Sequence, residues 1–129
     1  MPHKEEFLAQ YGDSQAISNG LDNKDMQVRK SAIKNYGASS DHIDKALNDI
    51  VWGIRKIAIS HKNANNHHID KASVDPSIYV RDTAIKKCSD HKLKEFIDTH
   101  PNPEVRELAK KQLSNNNQDD ELVRALNKE

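Results

Sequence analysis

One phrase recurs four times along this chain and limits what it can become. Val28-Arg29 is followed by Ala32 and Ile33, Ile54-Arg55 by Ala58 and Ile59, Val80-Arg81 by Ala84 and Ile85, and Val105-Arg106 by Ala109. Successive arginines are 26, 26 and 25 residues apart. A fixed period of roughly 20–50 residues marks arrays in which a small unit buries its apolar face only by stacking on the next. Inside each copy the apolar residues recur at helical spacing, and no useful stretch alternates apolar with polar as a half-buried strand does. The expected fold is all-α: a short α-solenoid, or superhelix, of about five two-helix repeats of about 26 residues.

Aligned to the period, residues 1–129 read as one repeat domain with units at about 1–23, 24–49, 50–75, 76–99 and 100–129. Residues 3–12 supply the second half of a first helix, with Phe7, Leu8 and Tyr11 at helical spacing and Gly12 as C-cap. Ile17 and Leu21 share a face of a shorter helix over 13–23. The first complete long helix spans 24–37, with Val28, Ala32 and Tyr36 as its apolar stripe and Gly37 at its end. Its partner spans 38–49; Ser39, Ser40 and Asp41 are N-cap candidates, and Ile43, Ala46 and Leu47 face inward. His68-Ile69-Asp70-Lys71-Ala72 repeats His42-Ile43-Asp44-Lys45-Ala46 one period later.

Pro76 opens the third unit and Pro101-Asn102-Pro103 the fourth, at helix starts where a missing N–H is harmless. Leu93, Phe96 and Ile97 form the inner face of 90–99. The fourth long helix runs from Glu104 to Leu113, followed by a polar loop from Ser114 to Gln118. The stretch from Asp120 to Asn127 then lines up with Asp41 to Asn48, which predicts a fifth short helix capping the array. So short a unit leaves the second helices only a turn or two, with 3₁₀ geometry open to them.

The core must be thin, because hydrophobic residues are 35% of the chain and aromatics 5%. Disorder usually couples such a composition to high net charge, yet 20 basic residues balance 20 acidic ones. Cys88 is the only cysteine, so no intramolecular disulfide forms and a reducing compartment is favoured. No apolar signal region follows Met1-Pro2-His3, and no run approaches the about 18–20 apolar residues of a membrane span. A soluble cytoplasmic protein without membrane association is expected.

Four of the 5 arginines, in a chain with 15 lysines, stand directly after the inward Val or Ile. Charge alone would be met by lysine, so the choice points to the planar fork of arginine and multi-point hydrogen bonding. Asn23, Asp49 and Asp75 lie six residues before Arg29, Arg55 and Arg81, with His100 in that place before Arg106. The spacing predicts a structural ladder of Arg29, Arg55, Arg81 and Arg106 with Asp49 and Asp75, tying one repeat to the next and capping helix N-termini.

The phrase Asp75-Pro76-Ser77-Ile78-Tyr79-Val80-Arg81, with Ala84 after it, resembles variant leucine-rich and HEAT-like repeats. So does His100-Pro101-Asn102-Pro103-Glu104-Val105-Arg106-Glu107-Leu108-Ala109. The resemblance covers nearly all the chain. It implies a right-handed superhelix of paired helices and a protein-binding scaffold, with nucleic-acid binding in a minority. Asn23 and His100 depart from the Asp column, and the unit is short for a HEAT repeat.

Catalytic signatures are missing: there is no Gly-rich phosphate loop among 4 glycines, no nucleophile motif and no HExxH. Neither an enzyme nor a cofactor is expected. His61, His67 and His68 suggest a metal, but adjacent His67 and His68 point about 100° apart on a helix and no Cys or carboxylate completes a set at suitable spacing, so no metal site is expected. Cys88 shares a column with Tyr36 and Lys62 and reads as half-buried filler.

Two stripes remain as binding faces. Met26, Trp52 and Ile78 share one column, ending at Pro103; Gln27, Gly53, Tyr79 and Glu104 share the next. Trp, Tyr and Met are typical interface anchors, which makes Trp52, Tyr79, Met26 and Ile78 the candidate partner contacts. The competing reading packs this column onto the short helices. Lys34, Lys62, Lys86, Lys87, Lys110 and Lys111 form a possible nucleic-acid ridge, with Lys30 and Lys56 a turn earlier, although lysines near helix C-termini have a dipole rationale of their own. The expected function is a non-enzymatic adaptor or inhibitor that binds another protein through a ridge of aligned helices. The alternative is nucleic-acid backbone binding. A monomer or weak homo-oligomer is expected, the latter through an exposed end repeat.

Overall fold

The computed structural model describes residues 4–128, and every regular element among them is an α-helix. In chain order these are α1 (Lys4–Tyr11), α2 (Ser14–Leu21), α3 (Met26–Lys34), α4 (Ser40–Ala46), α5 (Trp52–Ser60), α6 (Asn66–Ala72), α7 (Ile78–Lys86), α8 (Asp90–Thr99) and α9 (Pro103–Asn127). His3, placed in the first helix by its spacing, lies outside the described residues. The chain divides into two compact units, Met1–Ala84 and Ile85–Glu129.

In the first unit α3 packs between α1 and α5, while α2 lies against α4 and α6 follows α5. The recurrent phrase explains the order. Val28, Ala32 and Ile33 are the buried face of α3; Ile54, Ala58 and Ile59 are the same face of α5; Val80 and Ala84 continue it on α7. Each fully buried isoleucine here contributes roughly 1.5–3 kcal/mol over its exposed state. The alanines permit close approach, and Gly20 on α2 is closer still. A Cβ there would stand 2.8 Å from Ala9 Cβ and 2.9 Å from Ala32 Cβ.

The short helices α4 and α6 are α-helical over 7 residues each, with Ile43 and Ala46, or Ile69 and Ala72, inward. Seven residues do not sustain a helix alone, so packing and caps must. Ser39 and Asn65 cap them, each accepting from the backbone N–H of the histidine three residues on. Tyr36 departs from its expected place in the α3 stripe. The helix ends at Lys34, Asn35 turns the chain, and Tyr36 is exposed. Phe7, Leu8 and Tyr11 are also largely exposed, and Ala9 is the buried residue of α1.

In the second unit α8 and α9 form an antiparallel hairpin, with Leu93, Phe96, Val105 and Ala109 buried. Asn116 Nδ2 donates to Asp90 Oδ1 at 3.0 Å, which ties the fourteenth residue of α9 to the start of α8. The expected loop from Ser114 to Gln118 is helix instead, and α9 runs unbroken for 25 residues. Those five residues include no Gly or Pro, and each costs a helix well under about 1 kcal/mol, so nothing stops propagation. The fifth short helix is therefore absent, and Leu122, Val123 and Leu126 are exposed instead of capping the end.

Candidate partner-binding face

Met26, Trp52 and Ile78 are the first residues of α3, α5 and α7, and Tyr79 is the second of α7. Their side chains reach water. Met26 is 46% exposed, Trp52 47%, Ile78 41% and Tyr79 57%. These side chains are not packed away beneath the short helices. Trp52 and Tyr79 stack, with ring centroids 4.9 Å apart and planes at 24°. Such a pair is worth about 0.5–1.5 kcal/mol beyond its buried area. It fixes both rings in the exposed position.

A hollow of about 170 Å³ opens between α3 and α5, lined by Met26, Lys30, Val51, Gly53, Ile54 and Ile57, with Trp52 next in sequence to Val51 and Gly53. Gly53 leaves space at its lining, since a Cβ there would meet nothing within 4 Å. Val51, Gly53 and Ile57 were not legible as candidates from columns alone. The available signal was the single glycine in a column otherwise holding Gln27, Tyr79 and Glu104.

The arginines sit where the period puts them, with a different carboxylate partner from the expected one. Arg29 Nε donates to Asp49 Oδ2 at 2.8 Å and Nη2 to Oδ1 at 3.4 Å. Arg55 makes the same pair with Asp75, at 2.8 and 3.1 Å. The residue six places earlier gives only its main-chain carbonyl, to Nη1: Asn23 to Arg29, Asp49 to Arg55, Asp75 to Arg81 and His100 to Arg106. Its side chain instead holds the turn before the long helix by accepting the N–H two residues on. Asn23 accepts from Asp25, Asp49 from Val51, Asp75 from Ser77, and His100, through Nδ1, from Asn102. Asn23 and His100 thus close the turn as the aspartates do. Asp49 and Asp75 are spent on this scaffold.

The histidines are built into it too. Nδ1 of His42 accepts from Ser39 N–H and Nδ1 of His68 from Asn65 N–H, at 3.0 and 2.9 Å. An accepting Nδ1 leaves the proton on Nε2 in the neutral ring. Nε2 of His42 therefore donates to Ser18 Oγ at 2.9 Å, and Nε2 of His61, on the same logic, to the Asn35 carbonyl at 2.9 Å. His67 and His68, expected to diverge, both present Nε2 to Asp44 Oδ1, at 3.5 and 3.0 Å. The preceding helix pair brings that carboxylate to them. A metal there would need the Nε2 lone pair of His68, and the bond to Asn65 removes it.

The lysine ridge is less free than its columns imply. Lys62 lies 3.4 Å from the centre of the Tyr36 ring, and Lys110 pairs with Glu107 at 3.0 Å. Lys87 is half-buried, and that burial pushes its ammonium below the usual lysine value. Lys34, Lys86 and Lys111 are exposed. Cys88 is buried. Among the described residues, no helix is long and apolar enough to cross a membrane.

No protein-family model matches the chain. Neither a curated protein nor a solved structure matches it.

Proposed function

We propose that this chain is a non-enzymatic protein-binding module, a cytoplasmic adaptor or inhibitor built as a short α-solenoid of the variant leucine-rich or HEAT-like kind. The observation that carries the reading is the exposed set Met26, Trp52, Ile78 and Tyr79, on the first turns of the alternate helices α3, α5 and α7. In a chain so poor in aromatics, the only Trp stands half in water, stacked on Tyr79. Aromatic and Met side chains are enriched at the anchoring centres of interfaces. His42, His61, His68, His100, Asp49 and Asp75 are occupied in caps, turns and forks.

The test is capture of a protein from extract by the immobilised chain, with and without nuclease, against Trp52→Ala and Tyr79→Ala. Capture that survives nuclease and is lost in both variants supports the reading. Capture that both variants retain rejects this face. Capture that vanishes with nuclease moves the function to Lys34, Lys62, Lys86, Lys87, Lys110 and Lys111 and to a phosphate backbone.

A further inference from the structure

Resting on the protein-binding reading, we infer that the partner is an acidic amphipathic segment. It lies across α3 and α5 and sets one aliphatic side chain into the hollow over Gly53.

Charge distribution carries the first half. α3 and α5 contain Arg29, Lys30, Lys34, Arg55 and Lys56 and no carboxylate at all. Asp49 and Asp75 neutralise the two arginines. Among the described residues, no ion pair takes up Lys30, Lys34 or Lys56. Lys30 lines the hollow. Lys34 stands one turn beyond Lys30, and Lys56 one turn beyond Trp52, on the same helix faces. Of the nearby acids, Asp44 meets His67 and His68, Asp22 meets Lys45, and Asp25 caps the start of α3 by accepting the Gln27 N–H. Asp82 on α7 ends the basic strip. A chain of zero net charge thus carries only positive charged side chains along α3 and α5, between Asp25 at one end and Asp82 at the other.

The hollow carries the second half. An aliphatic-lined void of about 150 Å³ takes a benzene, so one of about 170 Å³ admits a leucine, isoleucine or methionine side chain. An apolar side chain in a groove with carboxylates reaching the rim lysines is the helix-in-groove mode of recognition. A nucleic acid fits worse. Trp52 and Tyr79 close their inner faces on each other, so no base enters between them, and neither phosphate nor sugar can use an apolar hollow.

The test is selection of peptides from a random displayed library on the full chain, counter-selected on Trp52→Ala. Enrichment of acidic sequences with aliphatic residues at helical spacing is expected. Gly53→Leu, whose Cβ would meet nothing within 4 Å, puts a bulky side chain at the lining of the hollow and should weaken a selected peptide by about tenfold or more. Lys30→Glu with Lys56→Glu should do the same while circular dichroism stays unchanged. Enriched peptides that need Trp52 but are uncharged or basic overturn the inference and leave the ridge reading standing. Enriched peptides indifferent to Trp52→Ala overturn both. A short oligothymidine that binds this face more tightly than every selected peptide, and loses its binding with Lys30→Glu, also overturns it.

Discussion

Arg55 and Asp75, twenty residues apart, meet through two parallel hydrogen bonds, Nε to Oδ2 at 2.8 Å and Nη2 to Oδ1 at 3.1 Å. Arg55 Nη1 turns the other way, to the carbonyls of Asp49 and Ile50 at 2.8 and 3.3 Å. One guanidinium therefore binds the turn before its own helix and the turn before the next.

Arg55→Lys should destabilise the protein by about 2–4 kcal/mol, because a point-charge ammonium cannot serve both turns and the Asp75 carboxylate is nearly buried. The check is the urea midpoint. In a double-mutant cycle with Asp75→Asn, the two changes should couple by about 1–3 kcal/mol. An unchanged midpoint in Arg55→Lys would remove the ladder from the account of stability.

Gly20→Ala and Gly53→Ala should move stability in opposite directions. A methyl at position 20 would press into Ala9 and Ala32, an overpacking that typically costs about 1–3 kcal/mol. At position 53 it enters open space and gains up to about 1 kcal/mol of helix propensity. Thermal unfolding of the two variants side by side settles the contrast.

His68→Ala should cost about 2–4 kcal/mol, since it strands the Asn65 N–H and empties a fully buried site. His68→Gln should cost less, because a glutamine at that position can still reach back to the cap. Nitrogen-detected NMR of the wild-type ring should find its proton on Nε2. A proton on Nδ1 would contradict the capping geometry.

Removing residues 118–129 should change stability by no more than about 0.5 kcal/mol, because residues 118–128 are all exposed. Equilibrium unfolding of the shortened chain is the measurement. A loss above about 2 kcal/mol would mean that Leu122, Val123 and Leu126 pack against something in solution.

The helical class was open to reading because Val28, Ile54, Val80 and Val105 return with an alanine four residues on, and only helices use that spacing on one face. The arginine's carboxylate partner was not. In a 26-residue period, six residues back and twenty residues forward are the same column, so spacing cannot tell Asp49 from Asp75 as the partner of Arg55. The end of α9 was hidden for another reason: its resemblance to Asp41–Asn48 is real in letters, but no Gly or Pro interrupts the helix that leads into it. Trp52 and its column were visible from the period. The hollow beside it, with Val51, Gly53 and Ile57, needed the distance between two helices, which no single segment encodes.

The arginine forks also give the chain a direction. The carboxylate for Arg29 lies ahead at Asp49, and that for Arg55 lies ahead at Asp75. A cut just ahead of Asp75 would leave Arg55 a shielded cation with no counter-ion. A cut behind Asp49 would leave that carboxylate still closing its own turn on Val51. Tolerance to shortening should therefore be one-sided along this stretch. A gene that gained or lost units here would be safest exchanging the segment from one aspartate to the next, so that every fork still finds its carboxylate.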